Sequence, residues 1–380
     1  MSSVKIRIFT SVMGNILRGG LNFFSILVIA RGLGPESYGE FAFLLGSFSA
    51  IRALMDMGTT SAFFTFMSQK PRNIQFVLIY LTWQLFLFSL SLLIIGLVFP
   101  DNWIDWIWAG SDKSTVLLVF IAVFLQQQTW QSIINIGESK RLTLRVHALN
   151  VSISGVHMLL IAIFWKTMGL TVELVFGFVI LEYLLVFPFA WRILYLRDLE
   201  SGEWDGRGVL QEYRSYCVPL ISLSCISFVV AISDRWFLQS FGGSREQAFY
   251  SIGNQFSVIC LVLTTSMLRI FWKEISVMFE NNTLERTHTF YRKTCQISFV
   301  STVLISSFLI PWSEEITRIF LGPTYADGAI VLAIMSLYPI HQSLGQVSAA
   351  MLMASSNTKT RLFIACISTG ISIPVSYFVQ

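Results

Sequence analysis

Val28-Ile-Ala-Arg31-Gly-Leu-Gly34-Pro-Glu-Ser-Tyr38-Gly-Glu-Phe41 connects two long apolar runs, one covering roughly residues 8–30 and the other roughly 41–66. A bilayer takes about 20 apolar residues to cross, so each run is long enough. A connector of about ten residues suits a helical hairpin. Arg18, Arg52 and Asp56 interrupt the two runs near their middles. A full charge at the centre of a lipid-facing helix costs about 2.5–3.5 kcal/mol on insertion scales, so such residues face protein or a water-filled cavity. The stretch therefore predicts a polar interior inside a membrane protein.

The rest of the chain has the composition this requires. Of its 380 residues 54% are hydrophobic and 13% charged, with a mean hydropathy of +0.66; a soluble domain carries about 25% charged residues. The reading is an all-α polytopic membrane protein. Lys5 and Arg7 precede the first apolar run, but the run is long and no small-residue cleavage site follows it, which argues against a cleaved signal peptide. The five cysteines lie in or beside apolar runs without metal-ligand spacing and read as small core residues. No phosphate-cradling glycine loop, clustered His and Cys ligands or paired carboxylates point to an enzyme or a cofactor, and no basic aromatic patch points to nucleic acid.

Apolar runs follow at roughly 75–99, 115–136, 144–165, 173–193, 215–238, 247–271, 294–312, 327–353 and 362–380, about eleven transmembrane helices in all. With the N-terminus in the cytoplasm, eighteen of the 26 Lys and Arg fall on the inner side, from Lys5 to Arg361, and only Arg31, Lys113, Lys166, Arg245 and Arg318 outside. That asymmetry fixes the expected orientation. Tryptophans of the outer stretch Asp101-Asn-Trp-Ile-Asp-Trp-Ile-Trp108 fit an interfacial belt.

The polar stretch Arg197–Arg207 suggests a division into a six-helix bundle at 1–195, a cytoplasmic linker at 196–214 and a second bundle at 215–380. The halves resemble each other. Gly34-Pro-Glu-Ser-Tyr-Gly39-Glu-Phe41 has a counterpart in Gly243-Ser-Arg-Glu-Gln-Ala248-Phe-Tyr250, and Gln127 and Lys140 correspond to Gln346 and Lys359 at a single offset. Repeats of this kind hold substrate between them in many transporters, and repeats of six helices enter from the same side and are parallel. A full second repeat calls for a twelfth helix, so the last helix is expected to be missing.

Arg18, Arg52 and Asp56 fall within about one helical turn of a common depth at 1.5 Å per residue. One reading makes Arg18 and Arg52 cavity cations for an anionic group, since a guanidinium stays charged when buried and binds phosphate bidentately. Asp56 then balances the charge, four residues from Arg52 on one helix face. The other reading is an interhelical ion pair that fixes the hairpin. Glu182, in the middle of the sixth span, is a candidate for ion coupling or for a helix–helix hydrogen bond. Asp234 and Arg235 would gate the outer mouth or cap their span, and Arg269 would admit substrate or snorkel to the interface. Asn15, Asn22, Gln127 and Gln346 are candidates for cavity lining or interhelical glue. His147 and His157 lie about 15 Å apart along one helix, too far to share a metal.

Val28–Phe41, followed by Met55-Asp56-Met-Gly58, resembles the N-terminal signature of polysaccharide exporters of the multidrug/oligosaccharidyl-lipid/polysaccharide superfamily. Ser233-Asp234-Arg235-Trp-Phe-Leu and Arg318-Ile-Phe-Leu-Gly322-Pro-Thr-Tyr325 resemble second-half signatures, and the best match is the Wzx-type O-antigen flippases. The resemblance implies a MATE-like fold of two six-helix bundles around a cationic cavity, with Arg18 and Arg52 facing it. It implies movement of undecaprenyl-diphosphate-linked oligosaccharide from the inner to the outer leaflet of the bacterial cytoplasmic membrane. Implied partners are that lipid-linked substrate, membrane lipids, and a polysaccharide polymerase with other assembly proteins. A cation-coupled drug antiporter of the same fold is the competing class and would want acids to dominate the cavity.

Overall fold

The computed structural model describes residues 4–69, 74–140, 142–193, 206–262, 264–265, 267–268, 271, 274–275, 278, 284–354 and 358–379. Its first helix, α1, is Val4–Asp56. Straight, 53 residues would reach about 80 Å at 1.5 Å per residue, against a hydrocarbon core of about 30 Å. The helix is broken at Gly34, whose φ of 77° and ψ of 170° are non-helical, and Pro35 follows. That combination of positive φ and extended ψ is essentially confined to glycine and costs an L-residue about 1–3 kcal/mol. The fixed φ and missing N–H of proline then suit the first turn of a new helix.

Neighbouring helices show that the chain reverses there. A Cβ placed on Gly14 would stand 2.9 Å from the His147 Cβ, and one on Gly32 would stand 2.9 Å from the Trp165 ring. The first half of α1 therefore runs parallel to α7, Thr143–Thr167. Beyond the break, Ser111 meets Glu40 at 3.5 Å, Gln127 donates to Ser49 at 2.8 Å, and Arg52 donates to Gln128 at 3.1 Å. That half runs parallel to α5, Lys113–Val123, and α6, Trp130–Ser139. Since α6 and α7 are antiparallel across a short loop, with Trp130 Nε1 donating to Asn150 Oδ1 at 2.7 Å, the halves of α1 are antiparallel too. The hairpin expected from the sequence is there.

The second run is not one helix. Met57 and Gly58, with φ of 45° and 82°, break it before α2, Thr59–Gln69. A Cβ at Gly58 would press on Leu220 at 2.5 Å, so the position is held by backbone and by packing. Next come α3, Ile74–Leu93, with a π turn at Ile94–Val98, and α4, Asp101–Ile107. Asp112 caps α5, and the Ser114 and Thr115 hydroxyls and N–H groups that it accepts from hold its carboxyl below the usual carboxylate range. After α7 the chain continues as α8, Val172–Ile193, and α9, Gly206–Phe237.

A π turn, Leu238–Gly242, leads to α10, Gly243–Cys260. Then follow α11, Leu284–Leu309, α12, Ser313–Phe320, a 3₁₀ turn at Pro323–Gly328, α13, Ala329–Met335, α14, Tyr338–Ala354, and α15, Thr358–Val379. Among the described residues seven helical stretches are long and apolar enough to cross a membrane, or eight with the bent pair Glu285–Leu309 and Ser313–Phe320 taken as one. Two of the seven, of 44 and 41 residues, run through the breaks at Gly34 and Gly243 and are each twice the length a bilayer needs.

By contacts the chain forms two units, Met1–Leu33 with Glu40–Trp236, and Gly34–Gly39 with Phe237–Gln380. The sequence division at 196–214 thus differs from the division by contact, and residues 196–205 lie outside the described ones. The reason is packing. Tyr213, Tyr216 and Cys217 of α9 join a core of Phe63, Phe66, Phe76 and Tyr80 in the first unit, where Phe63 stacks on Tyr80 at 4.1 Å. In the second unit α11 packs on α14 around Phe271, Ile275 and Val347, with the Tyr291 and Ser348 hydroxyls 2.9 Å apart. The two connectors matched by sequence also match in backbone: Gly34 has φ 77° and ψ 170°, Gly243 φ 84° and ψ 176°. They abut within the second unit, where a Cβ on Gly39 would collide with the Ser244 carbonyl oxygen.

Candidate functional site

Three consecutive glutamines, Gln126 to Gln128, sit where α5 passes into α6 through a π turn, Phe124–Thr129. Single π turns inside helices concentrate at functional sites because the extra residue re-aims the side chains around it. Here each glutamine has its own partner. Gln126 neighbours the Tyr183 hydroxyl, Gln127 donates to Ser49, and Gln128, buried to 2% exposure, faces Arg52 and Asp56.

Gln128 joins the two charges that the sequence placed on one helix face. Its Oε1 accepts from Arg52 Nη1 at 3.1 Å, and its Nε2 donates to Asp56 Oδ1 at 3.0 Å and to Thr60 Oγ1 at 3.1 Å. The direct Arg52–Asp56 pair expected from i, i+4 spacing is replaced by an amide bridge. The break at Met57–Gly58 explains this, because Asp56 ends one helix and caps the next. Its Oδ1 accepts from the Thr59 hydroxyl at 3.1 Å, the Thr60 N–H at 3.1 Å and the Thr60 hydroxyl. A carboxylate is favoured at a helix N-terminus, so Asp56 has a structural task that sequence spacing did not reveal.

The network extends inward through hydroxyls. Thr60 meets Tyr80 at 3.0 Å, Tyr80 meets Ser132 at 3.1 Å, Ser132 donates to the Gln128 carbonyl at 2.9 Å, and Gln84 reaches Thr59 at 3.5 Å. Four segments, the two sides of the Met57–Gly58 break, α3 and the π turn with α6, thus converge on one polar patch. Arg52 does not exhaust its donors there, since its Nε is buried without a hydrogen-bond partner. Thr59, Thr60, Tyr80, Gln84, Gln128 and Ser132 were not foreseen. A run of three glutamines within an apolar span is the signal that would have found the patch.

Arg18 lies elsewhere in the same unit. It is half-buried beside His147 and Tyr183, and among the described residues its guanidinium makes no hydrogen bond or ion pair. Arg18 and Arg52 share no hydrogen bond; Arg18 is within electrostatic reach of Tyr183, whose hydroxyl neighbours Gln126, while Gln128 holds Arg52. Glu182 belongs to neither group. At 6% exposure it meets His157 Nδ1 with both oxygens, at 3.0 and 3.1 Å.

Arg235 donates to the Ala42 carbonyl at 3.4 Å, and its guanidinium lies where a Cβ on Gly46 would be, so it locks α9 onto α1 by fitting over a glycine. Asp234 beside it is partly buried. Asn15 and Asn22 are exposed on α1 and join neither network. Gln346, in the second unit, leaves its buried Oε1 without a partner. Arg269 lies outside the described residues.

No family model and no curated protein matches the chain in sequence. Solved structures do match in fold. An inward-facing multidrug resistance MATE family transporter of the MOP superfamily superposes with a TM-score of 0.71 at 15% identity, over 99% of this chain and 90% of that one. A MOP superfamily transporter from Pyrococcus furiosus, described as having a binding pocket of reverse polarity that suggests a different function, gives 0.63 at 17% identity, over 98% and 87%. A MATE protein in complex with MaD3S gives 0.62 at 16% identity, over 98% and 87%. The chain therefore shares the all-helical fold of these proteins.

Proposed function

We propose that this transporter fold works as a flippase for undecaprenyl-diphosphate-linked oligosaccharide, a repeat unit of O-antigen or a related surface polysaccharide. The observation that carries the reading is the state of the two mid-span arginines. Arg52 is held by a neutral amide and keeps an unpartnered Nε, while Arg18 has no carboxylate partner among the described residues. Two cations left with spare donors in a membrane interior suit a diphosphate, which a guanidinium binds with charge-assisted, bidentate bonds. A pocket built for cationic drugs would be dominated by acids. The Pyrococcus neighbour, described as reversed in pocket polarity, supports the idea that this fold serves cargo of either sign.

The protein then sits in the bacterial inner membrane with its N-terminus in the cytoplasm. It takes the diphosphate head through the protein while the polyprenyl chain stays on the side open to the bilayer. With the cell interior negative, exporting two negative charges across about 100 mV gains about 4.6 kcal/mol. Alternating access by the repeats delivers the cargo to the outer leaflet, for use by a polysaccharide polymerase. A second reading, a cation-coupled multidrug antiporter, is favoured by the MATE transporters among the structural neighbours, with Asp56, Glu182 or His157 as coupling groups.

The experiment is complementation of a strain lacking its own O-antigen flippase, reading lipopolysaccharide ladders and drug tolerance together. Restored ladders with unchanged drug tolerance support the flippase. Raised drug tolerance without ladders supports the antiporter. Arg18 and Arg52 replaced by Lys should retain more ladder than the Ala variants; equal output from all four would remove diphosphate binding at these residues.

A further inference from the structure

A cavity of about 420 Å³ lies between α3 and the first turns of α9, in the first unit. Ile79 and Trp83 of α3 and Val209 and Leu210 of α9 form its walls, and Thr59 and Tyr80 form its floor. It is open on its outer side, for Ile79, Trp83 and Leu210 are 51%, 44% and 71% exposed. Large apolar side chains exposed around a concave space suit a hydrocarbon ligand. Arg214 lines the same space, and Arg207 and Leu210 precede it at the i, i+3, i+7 spacing of one helix face. An apolar slot ending in cations is complementary to a long-chain lipid with an anionic head.

The floor joins the slot to the polar network. Thr59 and Tyr80 are members of the polar network: Thr59 bonds Asp56 and Gln84, and Tyr80 bonds Thr60 and Ser132. A chain lying in the slot is one side chain away from the patch that holds Arg52. Resting on the flippase reading, we propose that this groove is the loading site for the lipid-linked cargo. Its polyprenyl chain lies between α3 and α9, and its phosphate rests on Arg214 before the head moves inward to Arg52. The inner-leaflet position follows from the cytoplasmic N-terminus of that reading, which puts the starts of α3 and α9 at the inner surface.

The test is photo-crosslinking of the full chain in nanodiscs with a benzophenone-bearing polyprenyl phosphate, mapped by peptide mass spectrometry and competed with undecaprenyl phosphate or phosphatidylglycerol. The groove is supported by label within 74–83 and 206–217 that undecaprenyl phosphate competes away and phosphatidylglycerol does not. Leu210→Trp, which fills the slot, should then cut labelling about tenfold, equivalent to about 1.4 kcal/mol, and Val209→Trp should do the same should Leu210→Trp not fold. Label in the groove removed equally by phosphatidylglycerol overturns the proposal in favour of bulk lipid. Competed label confined to other helices overturns the groove while leaving the flippase intact. Absence of competed label anywhere, together with failure to restore ladders, overturns the flippase reading and the groove with it.

Discussion

Gln127 and Gln128 are neighbours of the same residue type in one apolar span, and the structure gives them unequal work. Gln128 makes three interhelical hydrogen bonds, to Arg52, Asp56 and Thr60, and Gln127 makes one, to Ser49. Interhelical hydrogen bonds in membrane proteins average about 0.6 kcal/mol with a maximum near 1.7, so Gln128→Leu should cost about 2 kcal/mol and Gln127→Leu about 0.6. The soluble-protein figures for bonds to charged groups, about 1.5–3 kcal/mol each, overstate the case, because Arg52 and Asp56 are only partly buried and are able to pair with each other once the amide is gone. At about 2.1 cal/mol/K per residue, 1 kcal/mol shifts the Tm of a chain this long by about 1.3 °C. Thermal unfolding in detergent should therefore show a drop of about 2.5 °C for Gln128→Leu and under about 1 °C for Gln127→Leu. On the proposed flippase function, transport should separate further, since a direct Arg52–Asp56 pair would neutralise the cation proposed to bind the cargo. Equal Tm losses in the two variants, or a larger loss at Gln127, would refute the assignment of the network to Gln128.

Gly46→Leu should displace the Arg235 guanidinium and cost about 1–3 kcal/mol, and Arg235→Ala should recover part of that loss in a double-mutant cycle read by thermal unfolding. His157→Leu leaves the buried Glu182 carboxyl, 6% exposed, without the hydrogen-bond partner it has at 3.0 Å and should cost about 1–3 kcal/mol, while His157→Leu with Glu182→Leu should be milder; a double variant worse than the single would contradict this. Gly34→Ala forces an L-residue to a φ of 77° with a ψ of 170°, a region essentially confined to glycine, and should lose about 1–3 kcal/mol, whereas Gly20→Ala, where a Cβ meets nothing within 4 Å, should be neutral or slightly stabilising. Asp112→Ala should lose about 1 kcal/mol of capping. With the Asp112 carboxyl lowered on folding, its contribution is present above the ordinary carboxylate range and fades as pH falls through the lowered value. The difference between wild type and Asp112→Ala should accordingly shrink in acid.

Much of the architecture was legible because it is written in local chemistry. A connector of about ten residues between two apolar runs reads as a hairpin, and the structure reverses there, at Gly34-Pro35. The matching glycine at 243 follows from comparing the two halves of the sequence and has the same positive φ with extended ψ. Long apolar runs announce membrane helices whatever their neighbours are. Met57–Gly58 was less legible, since a methionine and a glycine inside an apolar run do not announce a break, and the backbone conformation there is stabilised by Asp56 capping and by Leu220 of a distant helix.

What the sequence determined by itself is the class of protein, the hairpin and the presence of charges within the membrane, all of which follow from hydropathy and from the conformational limits of single residues. Tertiary structure alone decided which glutamine holds Arg52, that Asp56 is a cap, that Arg235 lies over Gly46, and that α9 packs with the first unit. The physical reason is that a span apolar on every side has no hydrophobic face to orient it. Its few polar groups point wherever a partner on another helix satisfies them, and a π turn rotates everything beyond it by a residue.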